Sequence, residues 1–167
     1  MKGSGDLDSM IRNDYRSEIE NLIRRELALL GRESDADKIK VVDLGVPHTP
    51  RKLEAGTMAV YTFNLEGKFL KIGKVGSESP ARFTYQHYKA SGSPSTLAKS
   101  LLEDSSMKEK YLLNESNVSS WIKEHCQRID ILIPVELGIF TLNLIEAVLH
   151  YKYEPVYEGH ESQRHYG

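Results

Sequence analysis

The sequence predicts an α+β domain, a small three-stranded, mainly antiparallel sheet flanked by helices, with an extra helix at the N-terminal end. Three observations predict it. Met58 to Leu65 and Lys68 to Lys74 are both strand-like, and Glu66-Gly67 between them is a turn signal that joins them as a hairpin. Arg128 to Pro134 (RIDILIP) is an apolar run suited to the centre of a sheet. Around these strands lie segments whose apolar residues recur every three or four positions, the period of a helix with one buried face.

The first element in order is an amphipathic helix over Asp8 to Leu30. Ile11, Tyr15, Ile19, Leu22, Ile23 and Leu27 fall on one side, and Gly31 sits where a left-handed cap belongs. Its other side mixes arginine with glutamate and reads as a solvated face. Lys38 to Gly56 carries a short apolar piece, IKVVDLGV, expected as an extended segment or edge strand running into a loop. Alternation in the hairpin puts Tyr61 on one face with Ala59 and Phe63, and Lys71 on one face with Phe69 and Gly73. Ser79-Pro80 starts a helix, with Ser79 as its cap and Arg82, Gln86 and Lys89 or Tyr85 along one side. Ser91 to Pro94 is a turn, after which Ser95 is expected to cap a helix over TLAKSLLED. Two more helices, near Ser106–Leu113 and Val118–Gln127, precede the third strand. Gly138 to Tyr151 is the last helix.

Length and composition bound the function. A chain of 167 residues with 40% hydrophobic content forms one core of ordinary size. Domain organisation is read as an N-terminal helix and linker (1–57), a main domain (58–159) and a short tail (160–167). The lone Cys126 leaves no intramolecular disulfide, no apolar run reaches bilayer-spanning length, and MKGSGDLDS lacks the apolar centre of a signal peptide. A cytoplasmic protein without membrane contact is the expectation. The net charge is −2, yet Lys68, Lys71, Lys74, Arg82, Lys89 and Lys99 face Glu78 alone between positions 68 and 99. An acidic chain that gathers cations around one hairpin and helix displays a surface for an anion.

The last helix is nearly all apolar, GIFTLNLIEAVLH, and Glu146 interrupts it. A carboxylate there is costly unless paired or bound to a cation. Asn143 and His150 share its side, so the stripe also reads as a polar edge turned to solvent.

Ala59-Val60-Tyr61 at the end of one strand, Lys71-Ile72-Gly73 ten residues on, Arg82 on the next helix and Glu146 on a later one follow the order and spacing of a known motif set. Over roughly Met58 to Gly159 the chain resembles the GIY-YIG endonuclease family. Ala59 and Val60 replace the Gly-Ile pair, Lys71 stands in place of the second tyrosine, and no asparagine follows Asn143. The resemblance implies a divalent-metal-dependent phosphodiesterase cutting DNA, with Mg²⁺ or Mn²⁺ as cofactor. It implies that Glu146 is the metal ligand, Arg82 the grip on the scissile phosphate and Tyr61 the base or water-orienting group. A free phenol has a pKa of about 10, and Lys71 beside it would favour the phenolate. Lys74 and His87 are further contacts, one to phosphate and one to the leaving group or a nearby oxygen; Lys89 and Lys99 extend the nucleic-acid surface. A homodimer is a common way for a small nuclease to cut both strands. The alternative is a nucleic-acid-binding or regulatory module that keeps the fold without the catalysis, and the three departures favour it.

Overall fold

Thr57–Leu65 (β2) is the organising element, bonded on both sides along its length. The computed structural model describes residues 13–93 and 95–158. Lys68–Val75 (β3) returns antiparallel beside β2 across a two-residue turn, with φ +51° at Glu66 and +89° at Gly67. Positive φ at both turn residues is what a tight hairpin with native twist requires. The Asn64 carboxamide oxygen accepts from the Gly67 amide at 2.8 Å and fixes the turn. On the other side of β2 runs Gln127–Pro134 (β4), again antiparallel.

The expected three strands are joined by a fourth. Lys40–Gly45 (β1) pairs with β4, so the order is β1-β4-β2-β3 and the segment before residue 58 is part of the same sheet. The edge-strand reading of this segment holds. β1 and β3 are the two edges.

Two layers of helices cover the sheet. Tyr15–Leu29 (α1) and the last helix, Ile139–Tyr153 (α7), pack one face, with Ile19, Ile23, Leu27, Leu142, Ile145 and Leu149 against Val60, Ile72, Ile129 and Ile131. Glu33–Ala36 (α2) follows α1. The other face is covered by Pro80–Thr84 (α3), Leu97–Glu103 (α4), Ser105–Lys110 (α5) and Val118–His125 (α6), around Tyr61, Phe63, Phe83, Leu97, Leu101 and Ile122. No helix among the described residues is long and apolar enough to cross a membrane.

Several boundaries move for identifiable reasons. α1 begins at Tyr15, because Asp14 is its cap and accepts from the Ser17 amide at 3.1 Å; residues 8–12 of the expected helix lie outside the described residues, as do Pro94 and residues 159–167. Gly31 has φ +73°, the left-handed conformation expected after the helix. The helix after β3 has Pro80 in its first turn but no side-chain cap from Ser79, and it stops at Thr84; Gln86–Tyr88 is a separate 3₁₀ turn. The cap of α4 is Thr96, whose hydroxyl accepts from the Lys99 amide at 3.2 Å.

Candidate functional site

β3 does not keep the simple alternation that the sequence suggests. Phe63 pairs with Lys71 and Asn64 with Phe69, which leaves Leu70 as the extra residue of a bulge. Phe69 therefore packs in the α1–α7 layer, while Lys71 and Gly73 turn to the other face with Tyr61, which pairs with Gly73. The expected sharing of a face by Phe69 and Lys71 is overturned; that of Tyr61 and Lys71 is met.

Tyr61 is fully buried, and its ring lies across Gly73. A methyl group at residue 73 would fall 2.7 Å from Cζ and 2.9 Å from Cε2 of the ring, and closer still to the hydroxyl. Only glycine leaves room for the tyrosine there, which ties Gly73 to Tyr61 by sterics rather than by turn geometry.

The Tyr61 oxygen is hydrogen-bonded to His87 Nε2. His87 Nδ1 accepts from the Leu97 amide at 3.4 Å, so its lone proton sits on Nε2 and is donated to the phenol oxygen. Burial holds the imidazole neutral and pushes its pKa down to about 2, with the charges of Lys71, Arg82 and Arg128 acting in the same direction. With 1% exposure and both nitrogens engaged, His87 is not available to a leaving group. It positions Tyr61. The His87 donor and the nearby cations, Arg82 foremost and then Arg128, favour a phenolate, but burial outweighs them and raises the Tyr61 pKa to about 12.

Arg82 is half-buried at the rim of this face and donates to Ser95 Oγ at 3.3 Å. Lys71 is 4% exposed and pairs with Glu158 at 3.2 Å, so it is no solubilising charge on an open edge. The cations that favour the Tyr61 phenolate are Arg82 and Arg128, while Lys71, on the same face, pairs with Glu158 and acts on His87.

Glu146 stands on the other side of the sheet. Its Oε1 lies 2.9 Å from Lys74 Nζ, and one turn on, His150 Nε2 meets the Ile72 carbonyl at 2.8 Å. The polar stripe of α7 is thus partly docked on β3, with Asn143 exposed. Gly73 under Tyr61 and Lys74 beside Glu146 are neighbours in one strand, and neighbours in a strand face opposite ways. The phenol–imidazole–guanidinium group and the carboxylate therefore lie on opposite faces of the sheet, and the one pocket expected to gather Tyr61, Arg82 and Glu146 is not formed among the described residues. Lys89 is exposed, and Lys99 makes only a loose contact with Glu103 at 4.0 Å.

As a metal site, Glu146 offers one carboxylate. No group of three or more His, Cys, Asp or Glu that could hold a metal gathers among the described residues. Magnesium takes one or two protein carboxylates and keeps most of its waters, so a single glutamate with a partly open side chain fits it, with Lys74 as the competing cation.

One element escapes the sequence reading. Arg128, at the head of the apolar third strand, is fully buried. Its Nε donates to Asp130 at 2.8 Å, Nη1 to the Tyr88 hydroxyl at 2.9 Å and Nη2 to the Phe83 carbonyl at 2.8 Å. The rings of Phe83, Phe63 and Tyr61 surround it at 4.7, 5.2 and 5.7 Å. His48 closes the network through Tyr88 and the Cys126 carbonyl, both at 2.7 Å. Opposite charges at positions 128 and 130 share a strand face, and that spacing is the signal available in the sequence. Through Phe83 and Tyr88 this network clamps the segment that carries His87.

Compared with known proteins, the chain matches no family model, no curated protein and no solved structure.

Proposed function

We propose that the protein is a divalent-metal-dependent endonuclease that hydrolyses phosphodiester bonds in DNA on the GIY-YIG plan. The observation that carries this reading is the Tyr61 phenol held over Gly73 by a neutral His87, with the Arg82 guanidinium beside it.

In this reading Arg82 binds the non-bridging oxygens of the scissile phosphate as a planar two-point donor. His87 donates to the Tyr61 oxygen and steadies the phenolate when it forms. Tyr61 is fully buried, so this reading requires the attacking water to reach it from the Arg82 side; the phenolate then accepts the water's proton as the new oxygen–phosphorus bond forms. The bond to the leaving oxygen breaks, and that oxygen carries off the electron pair and takes a proton from solvent. Glu146 would hold Mg²⁺ or Mn²⁺, which would supply charge relief to phosphate oxygens, and this requires the bound strand to reach both faces of the sheet.

A second reading, a nucleic-acid-binding module without catalysis, draws on two observations. The resting phenol is far from ionised at neutral pH, and Lys74 already neutralises Glu146. Plasmid nicking with magnesium separates the two. Under the first reading Tyr61→Phe and Arg82→Ala each lower nicking by at least about a hundredfold in proteins that remain folded, Tyr61→Phe with a lowered melting temperature because it strands the buried His87 donor. Wild-type nicking by Tyr61→Phe would remove the phenol from the mechanism.

A further inference from the structure

Beside the Tyr61 face lies a cavity of about 290 Å³, walled by three segments that are bonded to one another. The loop before β2 contributes Lys52, the turn after α3 contributes Tyr85, Tyr88 and Lys89, and α6 contributes Lys123. Thr84 Oγ1 donates to the Arg51 carbonyl at 3.1 Å, and the His48 amide donates to the Lys123 carbonyl at 2.8 Å. These bonds hold the loop against both helical walls. Tyr88 is held by its hydroxyl between Arg128 and His48, so this part of the wall is set by the buried network.

The lining is matched to a particular chemistry. Three lysines and no carboxylate line the cavity among the described residues, in a chain of net charge −2. Lys123 Nζ stands 5.4 Å from the centre of the Tyr88 ring, and Tyr85, which also lines the cavity, is 53% exposed. An exposed aromatic face beside clustered ammonium groups is how proteins hold a single-stranded nucleotide, base on ring and phosphate on cations. The volume is at the small end for ligand pockets, about the size for one nucleotide and too small for a duplex. Tyr85 follows Arg82 by three residues, so the cavity opens within about one helical turn of the proposed phosphate grip.

We propose that this cavity is a nucleotide subsite: it takes one unpaired nucleotide of the bound strand next to the scissile phosphate, the base stacked on Tyr85 and the phosphate held by Lys52, Lys89 and Lys123. The inference rests on the nuclease reading for its place in the substrate, but its test needs no cleavage. The affinity of a fluorescein-labelled single-stranded DNA oligonucleotide is measured in EDTA over a range of salt concentrations. Tyr85→Ala weakens binding about tenfold with little change in the salt slope, and Tyr85→Trp restores it. The variant with Lys52, Lys89 and Lys123 all changed to alanine lowers the slope of log K against log salt by about 2. Changing Lys108 and Lys110 on α5 to alanine leaves both quantities as in wild type. Wild-type affinity and slope in the Tyr85→Ala and triple-lysine proteins, or no binding by the wild type, would overturn the subsite. The nuclease reading fails separately, when wild-type protein binds the strand but leaves DNA whole after magnesium is added.

Discussion

Tyr61 is buried beneath α3, and the cost of that burial falls on its phenolate, which is why its pKa stands near about 12 despite two neighbouring arginines. The sign of the pH dependence follows. Below that value the phenolate fraction rises tenfold with each pH unit, so a reaction that uses it as base accelerates as pH rises. The imidazole of His87, with its pKa lowered to about 2, adds no acid limb near neutrality. Single-turnover nicking measured between about pH 6 and about pH 9 should therefore rise with a slope near one and show no plateau. A flat profile would point to another base. Arg128 is the other decisive residue. Removing it leaves Asp130, 2% exposed, as an uncompensated buried charge, and Arg128→Ala should cost about 3–5 kcal/mol in a urea melt. Asp130→Ala in the same background should recover part of that loss, because the stranded charge is then gone. The sequence singled out Tyr61 and Arg82 through the order and spacing in which the chain resembles the GIY-YIG motifs. It did not show Arg128 as buried, because what makes that burial tolerable comes from Phe83, Tyr88 and His48, far away in the chain.

At the scale of elements, β3 decides the geometry. One group lies against it from the α3 face and another from α7, the amides of Val156 and Tyr157 bond its outer edge at Phe69 and Leu70, and its bulge at Leu70 turns Lys71 and Gly73 toward Tyr61. A strict two-residue period cannot reveal a bulge, so the alternation of residues 69–73 was misleading while the hairpin and its Glu66-Gly67 turn were fully legible. The short α3 was also beyond reach. Its apolar and cationic residues suit a longer helix, and the break after Thr84 comes from the tertiary hold on Phe83 and Tyr88. Gly73→Ala tests the role of the strand. The added methyl would strike the Tyr61 ring, so nicking should fall at least about tenfold while stability drops by about 1–3 kcal/mol. Chemical denaturation and the nicking assay on the same preparation check both halves. A variant with wild-type nicking would mean that Tyr61 need not lie over residue 73.

Across the whole molecule, the sheet separates two chemical groups. Tyr61, His87 and Arg82 belong to the α3–α6 layer, and Glu146 belongs to α7 in the opposite layer. The α+β class and the order of its hairpin, helical middle, strand and last helix were readable from periodicity. The participation of β1 in the same sheet was half-readable, as an edge strand without a stated partner. The division of labour across β3 could not be read at all, because it depends on which face each helix covers. The test that bears most directly on the central claim is plasmid nicking by wild-type protein and by Glu146→Ala, each with magnesium and with EDTA. The account predicts nicking by the wild type with magnesium only, and none by Glu146→Ala at an unchanged melting temperature. Cutting by Glu146→Ala at the wild-type rate, or an intact plasmid with the wild type in magnesium, would contradict it.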